Sequence, residues 1–219
     1  MKIFLDTANI AQIERWVKLG IIDGVTTNPT LLSKEIGSPR QIFTKICSLL
    51  PEGDISIEVT EQEPEMVYTQ AKELAAFAPN VIVKIPFSEP LLPIINRLSL
   101  EGICINVTLI FSMLQALIVA KMGVTYISPF IGRIDDIDGN GIELIKQLIV
   151  MKQNYGFESE ILAASIRTLS HLNQVCLLGV DVATIPSNLL ELLMHHPLTE
   201  KGMAQFDADW KKLGIPSMF

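Results

Sequence analysis

The chain has 219 residues, 49% of them hydrophobic and 19% charged, which is enough apolar surface for one large core and excludes a disordered chain. A net charge of −7 leaves no basic footprint for nucleic acid or an anionic membrane, so an anionic substrate would have to meet a local group of arginines. Cys47, Cys104 and Cys176 are too few and too scattered for a disulfide framework or a zinc site, no apolar run approaches the ~18 residues of a bilayer span, and Asp6 comes too early for a secretion signal; together these point to a cytoplasmic protein.

Short apolar strands alternate with amphipathic helices along the whole chain. The first strand, Ile3-Phe4-Leu5-Asp6, precedes a helix opened by Asn9 and Gln12 as a capping pair and closed near Gly20. Gly24-Val25-Thr26-Thr27-Asn28 is a second strand stopped by Pro29, and Ser38-Pro39-Arg40-Gln41 opens the next helix with a capping box and a proline at its first position. Ile55 to Val59 is a third strand, with a helix from about Pro64 to Phe77 behind it. The fourth, Val81-Ile82-Val83-Lys84-Ile85-Pro86, is the most telling stretch: it is nearly all apolar and β-branched, with a lysine in its middle. Alternation puts Ile82 and Lys84 on one face and Val81, Val83 and Ile85 on the other.

Ile103 to Leu109 is the fifth strand, followed by a helix capped by Ser112 and closed at Gly123. Thr125 to Phe130 is the sixth, leading into a loop from Ile131 to Asp136 and a helix from Ile142 to Gln153. Ile161 to Ser165 is the seventh, with His171 early in the next helix as a surface residue. Val182 to Pro186 is the eighth, with Ser187 capping the helix behind it, and a last helix runs from about Leu198 to Leu213. Eight strand–helix units without a linker argue for an α/β protein, a single (β/α)8 TIM barrel over 1–219 with an extra C-terminal helix at 198–213. A doubly wound open sheet is the alternative, but no Gly-rich phosphate loop supports it.

Polar residues gather at the ends of these strands. Asp6, Asn28, Glu58, Lys84, Asn106, Thr108, Ser128 and Ser165 all stand at or near strand C-termini, the catalytic mouth of such a barrel. A lysine on a strand can snorkel or pair with a carboxylate; in a dry setting desolvation favours the free amine, which attacks carbonyls and forms Schiff bases. Asp6 and Glu58 are carboxylates able to move protons beside it. Arg133, Ser165 and Arg167 follow the sixth and seventh strands, where two guanidinium forks and a hydroxyl suit a phosphate monoester; solvated surface ion pairs are the plainer reading of each arginine. Asp135, Asp136 and Asp138 read as solvated loop acids and not as a metal site, and His195 with His196 lacks metal-ligand spacing.

Taken together, Phe4-Leu5-Asp6-Thr7-Ala8-Asn9, Gly24 to Thr30, Val83-Lys84-Ile85-Pro86, Asn106 to Ser112, Ser128 to Arg133 and Ala163 to Arg167 resemble the transaldolases, specifically the short-chain group that includes the bacterial fructose-6-phosphate aldolases. The resemblance covers essentially the whole chain. It implies that Lys84 forms a Schiff base with C2 of a ketose phosphate and that Asp6 takes the C4 hydroxyl proton during carbon–carbon cleavage. It also implies that Glu58 and Thr108 hold a proton-shuttling water, that Asn28, Asn106 and Ser128 bind hydroxyls of the dihydroxyacetone fragment, and that Arg133, Ser165 and Arg167 hold the phosphate. No cofactor and no metal are implied. The fructose-6-phosphate aldolases have Gln in place of Glu58 and Tyr in place of Phe130, so both residues here favour transfer over release of free dihydroxyacetone. A non-catalytic sugar-phosphate-binding barrel is the rival from another class. The apolar stripe Met203, Phe206 and Trp210 either covers its own barrel or, as the resemblance implies, embraces a neighbour in a homo-oligomer of stacked five-membered rings, a decamer.

Overall fold

The computed structural model describes residues 1–215. Eight strands, β1 (Lys2–Asp6), β2 (Gly24–Thr26), β3 (Asp54–Glu58), β4 (Val81–Pro86), β5 (Ile105–Ile110), β6 (Tyr126–Pro129), β7 (Glu160–Ala163) and β8 (Val182–Ile185), pair in sequence order. The pairing is parallel throughout and β1 returns to β8, which closes a (β/α)8 barrel. Around it lie α1 (Ile10–Val17), α2 (Pro29–Leu32), α3 (Pro39–Leu49), α4 (Pro64–Ala75), α5 (Leu92–Leu100), α6 (Met113–Ala120), α7 (Ile131–Asp135), α8 (Gly141–Tyr155), α9 (Leu169–Leu178), α10 (Ser187–Leu193) and α11 (Pro197–Lys212).

Strand parity divides the apolar residues into two sets. Val83, Ile85, Ile105, Val107 and their counterparts face outward and join the helices' buried stripes in the main core. Phe4, Ile82, Tyr126, Leu162 and Val182 face inward and fill the barrel. Phe4 and Tyr126 meet edge to face with centroids 5.7 Å apart. Gly24 makes room for that stack, because a Cβ there would stand 2.6 Å from both the Phe4 ring and the Asp54 carbonyl oxygen. Below the rings, Tyr126 donates to Asp54 while Lys2 pairs with Glu160 at 2.8 Å, which closes the N-terminal end with polar groups.

The helix signals hold for α3 and α6, hold in part for α1, and fail for α10 and for the segment after the sixth strand. Ser38 and Gln41 form the full capping box of α3, and Ser112 caps α6. Asn9 caps α1 through the Gln12 N–H, but the Gln12 side chain accepts from Thr7 instead of closing a box. Ser187 does not cap α10: it is the first helical residue, and its hydroxyl accepts the indole N–H of buried Trp16 at 2.9 Å. The expected loop after the sixth strand is helical, as α7. Helix α11 buries no residue fully; Met203 and Phe206 are 66% and 76% exposed while Trp210 is partly buried, so this chain leaves most of that stripe uncovered. Among the described residues no helix is long and apolar enough to cross a membrane.

Candidate active site

The C-terminal ends of the strands open into a cavity of about 430 Å³, lined by Asp6, Asn28, Glu58, Lys84, Asn106, Thr108, Ser128, Phe130, Arg133, Ser165 and Arg167 among others. Every residue expected at the mouth is there. Register explains why: Glu58 pairs with Lys84, Lys84 with Asn106, and Asn106 with Tyr126, so inward positions of neighbouring strands fall at similar heights.

Lys84 is only 4% exposed. Its Nζ donates to the Thr27 carbonyl at 3.0 Å and lies 3.0 Å from Glu58 Oε2. An isolated ammonium would be costly here, and the Glu58 carboxylate both offsets that cost and offers a place for the proton. Asp6 accepts the Thr26 hydroxyl at 2.9 Å. Burial lifts the Asp6 carboxyl above the usual carboxylate range; the Lys84 charge and the Thr26 hydrogen bond oppose that rise without cancelling it, and the Glu58 charge adds to it. Thr26 Oγ1 also sits 2.5 Å from Thr184 Oγ1. Since Thr26 has one hydroxyl proton and gives it to Asp6, Thr184 must be the donor in that pair.

On the opposite wall, Ser128 donates to Asn106 Oδ1 at 2.6 Å and Asn106 Nδ2 donates to Ser56 at 3.1 Å, which fixes the amide orientation. Thr108 Oγ1 is buried without a hydrogen-bond partner among the described residues. Asn28 caps α2 with Oδ1, which accepts the Leu31 N–H at 2.9 Å and leaves the NH₂ as donor. Two residues at the mouth adopt left-handed backbone, Leu109 with φ 59° and Ser165 with φ 60°. Such conformations cost ~1–3 kcal/mol each. Leu109 sits where the β5–β6 register shifts, a bulge that re-aims the end of β5.

The arginines are held differently. Arg133, on α7, lies over the Phe130 ring at 5.1 Å. Arg167 is half exposed and its two terminal nitrogens reach Asp136 at 2.5 and 2.7 Å, so the ion-pair reading of this arginine is realised at the rim of the cavity. His171 is not a surface residue: it is mostly buried, with Nε2 at 2.9 Å from Asp135 Oδ2. Sequence reasoning missed Thr26, Thr184, Ser56, Asp136 and His171. The first three share the inward parity of Asn28, Val182 and Glu58 respectively, and that rule could have found them; the last two reach the site only through tertiary contacts with Arg167.

A closed parallel barrel that buries a lysine against a carboxylate at its mouth, with two arginines lining the same cavity, defines a (β/α)8 protein with its candidate site at the C-terminal ends of the strands. The chain belongs to the transaldolase/fructose-6-phosphate aldolase family, whose model matches residues 3–215. It is 48% identical over 214 residues to a probable transaldolase of Dehalococcoides mccartyi, covering 97% of this chain and 99% of the relative. It is 49% identical over 211 residues to a probable transaldolase of Lactiplantibacillus plantarum, covering 96% and 97%. A probable transaldolase 2 of Listeria monocytogenes is 47% identical over 211 residues, 96% of each chain.

Proposed function

We propose that the protein is a transaldolase that moves a dihydroxyacetone unit from a ketose phosphate, sedoheptulose 7-phosphate or fructose 6-phosphate, to an aldose phosphate, glyceraldehyde 3-phosphate or erythrose 4-phosphate, as in the pentose phosphate pathway. The observation that carries the reading is the buried Lys84 amine, 3.0 Å from the Glu58 carboxylate, on a cavity that also holds Asp6 and ends at Arg133, Ser165 and Arg167.

Glu58 takes the proton of Lys84, and the free amine adds to the C2 carbonyl of the donor. The Thr108 hydroxyl, buried and unpaired among the described residues, and Glu58 hold a water that shuttles the proton from Glu58 to the carbinolamine hydroxyl, which leaves as water to give the protonated imine. Asp6 then accepts the C4 hydroxyl proton. The C3–C4 bond breaks, its electron pair flows into the imine to give an enamine, and the aldose phosphate departs. The acceptor aldehyde enters, enamine C3 attacks its carbonyl carbon, and Asp6 returns the proton to the new hydroxyl. Water hydrolyses the imine and frees Lys84. Asn28, Asn106 and Ser128 hold hydroxyls of the three-carbon unit throughout, and Arg133, Ser165 and Arg167 hold the phosphate. The protonated imine is the electron sink, so the reading assigns no cofactor.

Borohydride reduction in the presence of fructose 6-phosphate tests this. The expected result is one covalent adduct on Lys84, lost in Lys84→Ala; an adduct elsewhere, or none, overturns the mechanism.

The second reading is a fructose-6-phosphate aldolase that releases free dihydroxyacetone. Against it stand Glu58 and Phe130, both on the cavity wall. A carboxylate can give and take protons where an amide only holds water, and Phe130 offers no phenolic proton for the enamine. Donor turnover is expected to depend on an added acceptor aldehyde, and Phe130→Tyr combined with Glu58→Gln to shift products toward free dihydroxyacetone. Rapid cleavage of fructose 6-phosphate by the unaltered enzyme without acceptor favours the aldolase.

A further inference from the structure

The two loops that bear the phosphate-end arginines are tied together by side chains outside the proposed chemistry. Asp136, just past α7, takes both terminal nitrogens of Arg167 at 2.5 and 2.7 Å. Asp135 accepts the Gly141 N–H with Oδ1 at 2.8 Å and faces His171 Nε2 with Oδ2 at 2.9 Å. The other ring nitrogen, Nδ1, accepts the backbone N–H of Arg167 at 3.5 Å. With Nδ1 accepting, the ring N–H lies at Nε2 and points at Asp135, so one imidazole bridges the two segments. Arg167 is therefore gripped twice, at its guanidinium by Asp136 and at its backbone by His171. Arg133, by contrast, has no carboxylate partner among the described residues.

We infer that Asp136 is a positioning residue for phosphate recognition, with His171 as its backbone counterpart. The inference rests on the reading that this end of the cavity takes a phosphate monoester. A guanidinium has five N–H donors, and Asp136 uses two of them. The rest are held in a fixed plane for the phosphate, and the ordering of a long, half-exposed side chain is completed before the substrate arrives. The same carboxylate cancels one of the two guanidinium charges, so affinity at this end comes from directed hydrogen bonds more than from bulk attraction. Asp136 touches no reacting atom; it acts through Arg167.

The test is calorimetric titration with inorganic phosphate, together with kinetics on a phosphorylated ketose and on unphosphorylated fructose. In Asp136→Asn, phosphate binding is expected to weaken about tenfold and KM for the phosphorylated donor to rise by a similar factor. kcat should stay within about twofold, KM for fructose should not move, and Asp136→Glu should recover part of the loss. His171→Gln is expected to give a smaller rise of the same kind, and it carries the test if Asp136→Asn does not fold. Unchanged or tighter phosphate binding, or an equal KM rise for fructose, overturns the inference. A missing Lys84 adduct alongside Asp136-dependent phosphate binding overturns the functional reading and leaves this inference standing.

Discussion

Asp6 is partly buried, and desolvation holds its carboxyl above the usual range against the pull of Lys84 and Thr26. A group whose folded pKa exceeds its unfolded value binds its proton more tightly in the native state. The cost of ionising it is fully present above the folded pKa and disappears below the unfolded value of about 4. Asp6→Asn is therefore expected to raise the melting temperature at pH 8, with a gain that shrinks as pH falls toward 4, while turnover is lost. Melting curves across that window check it; a gain independent of pH would point to some other cause. If Asp6 is the base, the acid limb of kcat/KM must lie above that of an ordinary carboxylate, and Thr26→Val, which removes a hydrogen bond to the ionised form, must push it higher still.

At the scale of elements, the strands were the most legible part of the sequence. β4 has the boundaries its β-branched run announced, and the inward parity of Ile82 and Lys84 holds. Most of the mouth followed from that one rule, since each strand had only to end in a polar residue of the right parity. What escaped were contacts made by elements too short to show a period. α2 and α7, with four and five residues, are single turns set directly behind strands. The α2 turn commits one end of Asn28 to capping, and the α7 turn carries Arg133 toward the rim. Nothing in the local sequence pairs Asp136 with Arg167, because that bond depends on how closely two neighbouring loops approach. Gly132 sets that approach: its N–H donates to the Ser165 carbonyl at 3.1 Å, and a Cβ would stand 2.3 Å from the same oxygen. Backbone cannot step aside as a side chain can. Gly132→Ala is expected to cost about 1–3 kcal/mol of stability and to raise KM for phosphorylated donors more than for fructose. Denaturant melts and paired kinetics measure both, and an alanine variant of native stability and KM would mean that the loops can separate freely.

At the scale of the molecule, the barrel is complete within one chain but its outer surface is not uniformly polar. Helix α11 presents Leu198, Met203 and Phe206 to solvent, beyond the last strand and off the barrel's own core. The proposal of a homo-oligomer, a decamer of two stacked rings of five, follows from the family resemblance and gains support from that uncovered stripe. Sedimentation velocity is expected to give a mass well above the 24.2 kDa of one chain. Met203→Lys with Phe206→Glu should lower it, and a monomer at micromolar concentration would refute the proposal.

Closure of β1 onto β8 also sets a schedule for biosynthesis. Lys2 finds its partner at Val182, almost the full length of the chain away. At roughly 5–20 residues per second on the ribosome, the first strand emerges on the order of ten to forty seconds before the strand that will cover its free edge. During that interval Asp6 and its neighbours form one side of an open sheet with an unpaired border, the arrangement most inclined to associate with other nascent chains.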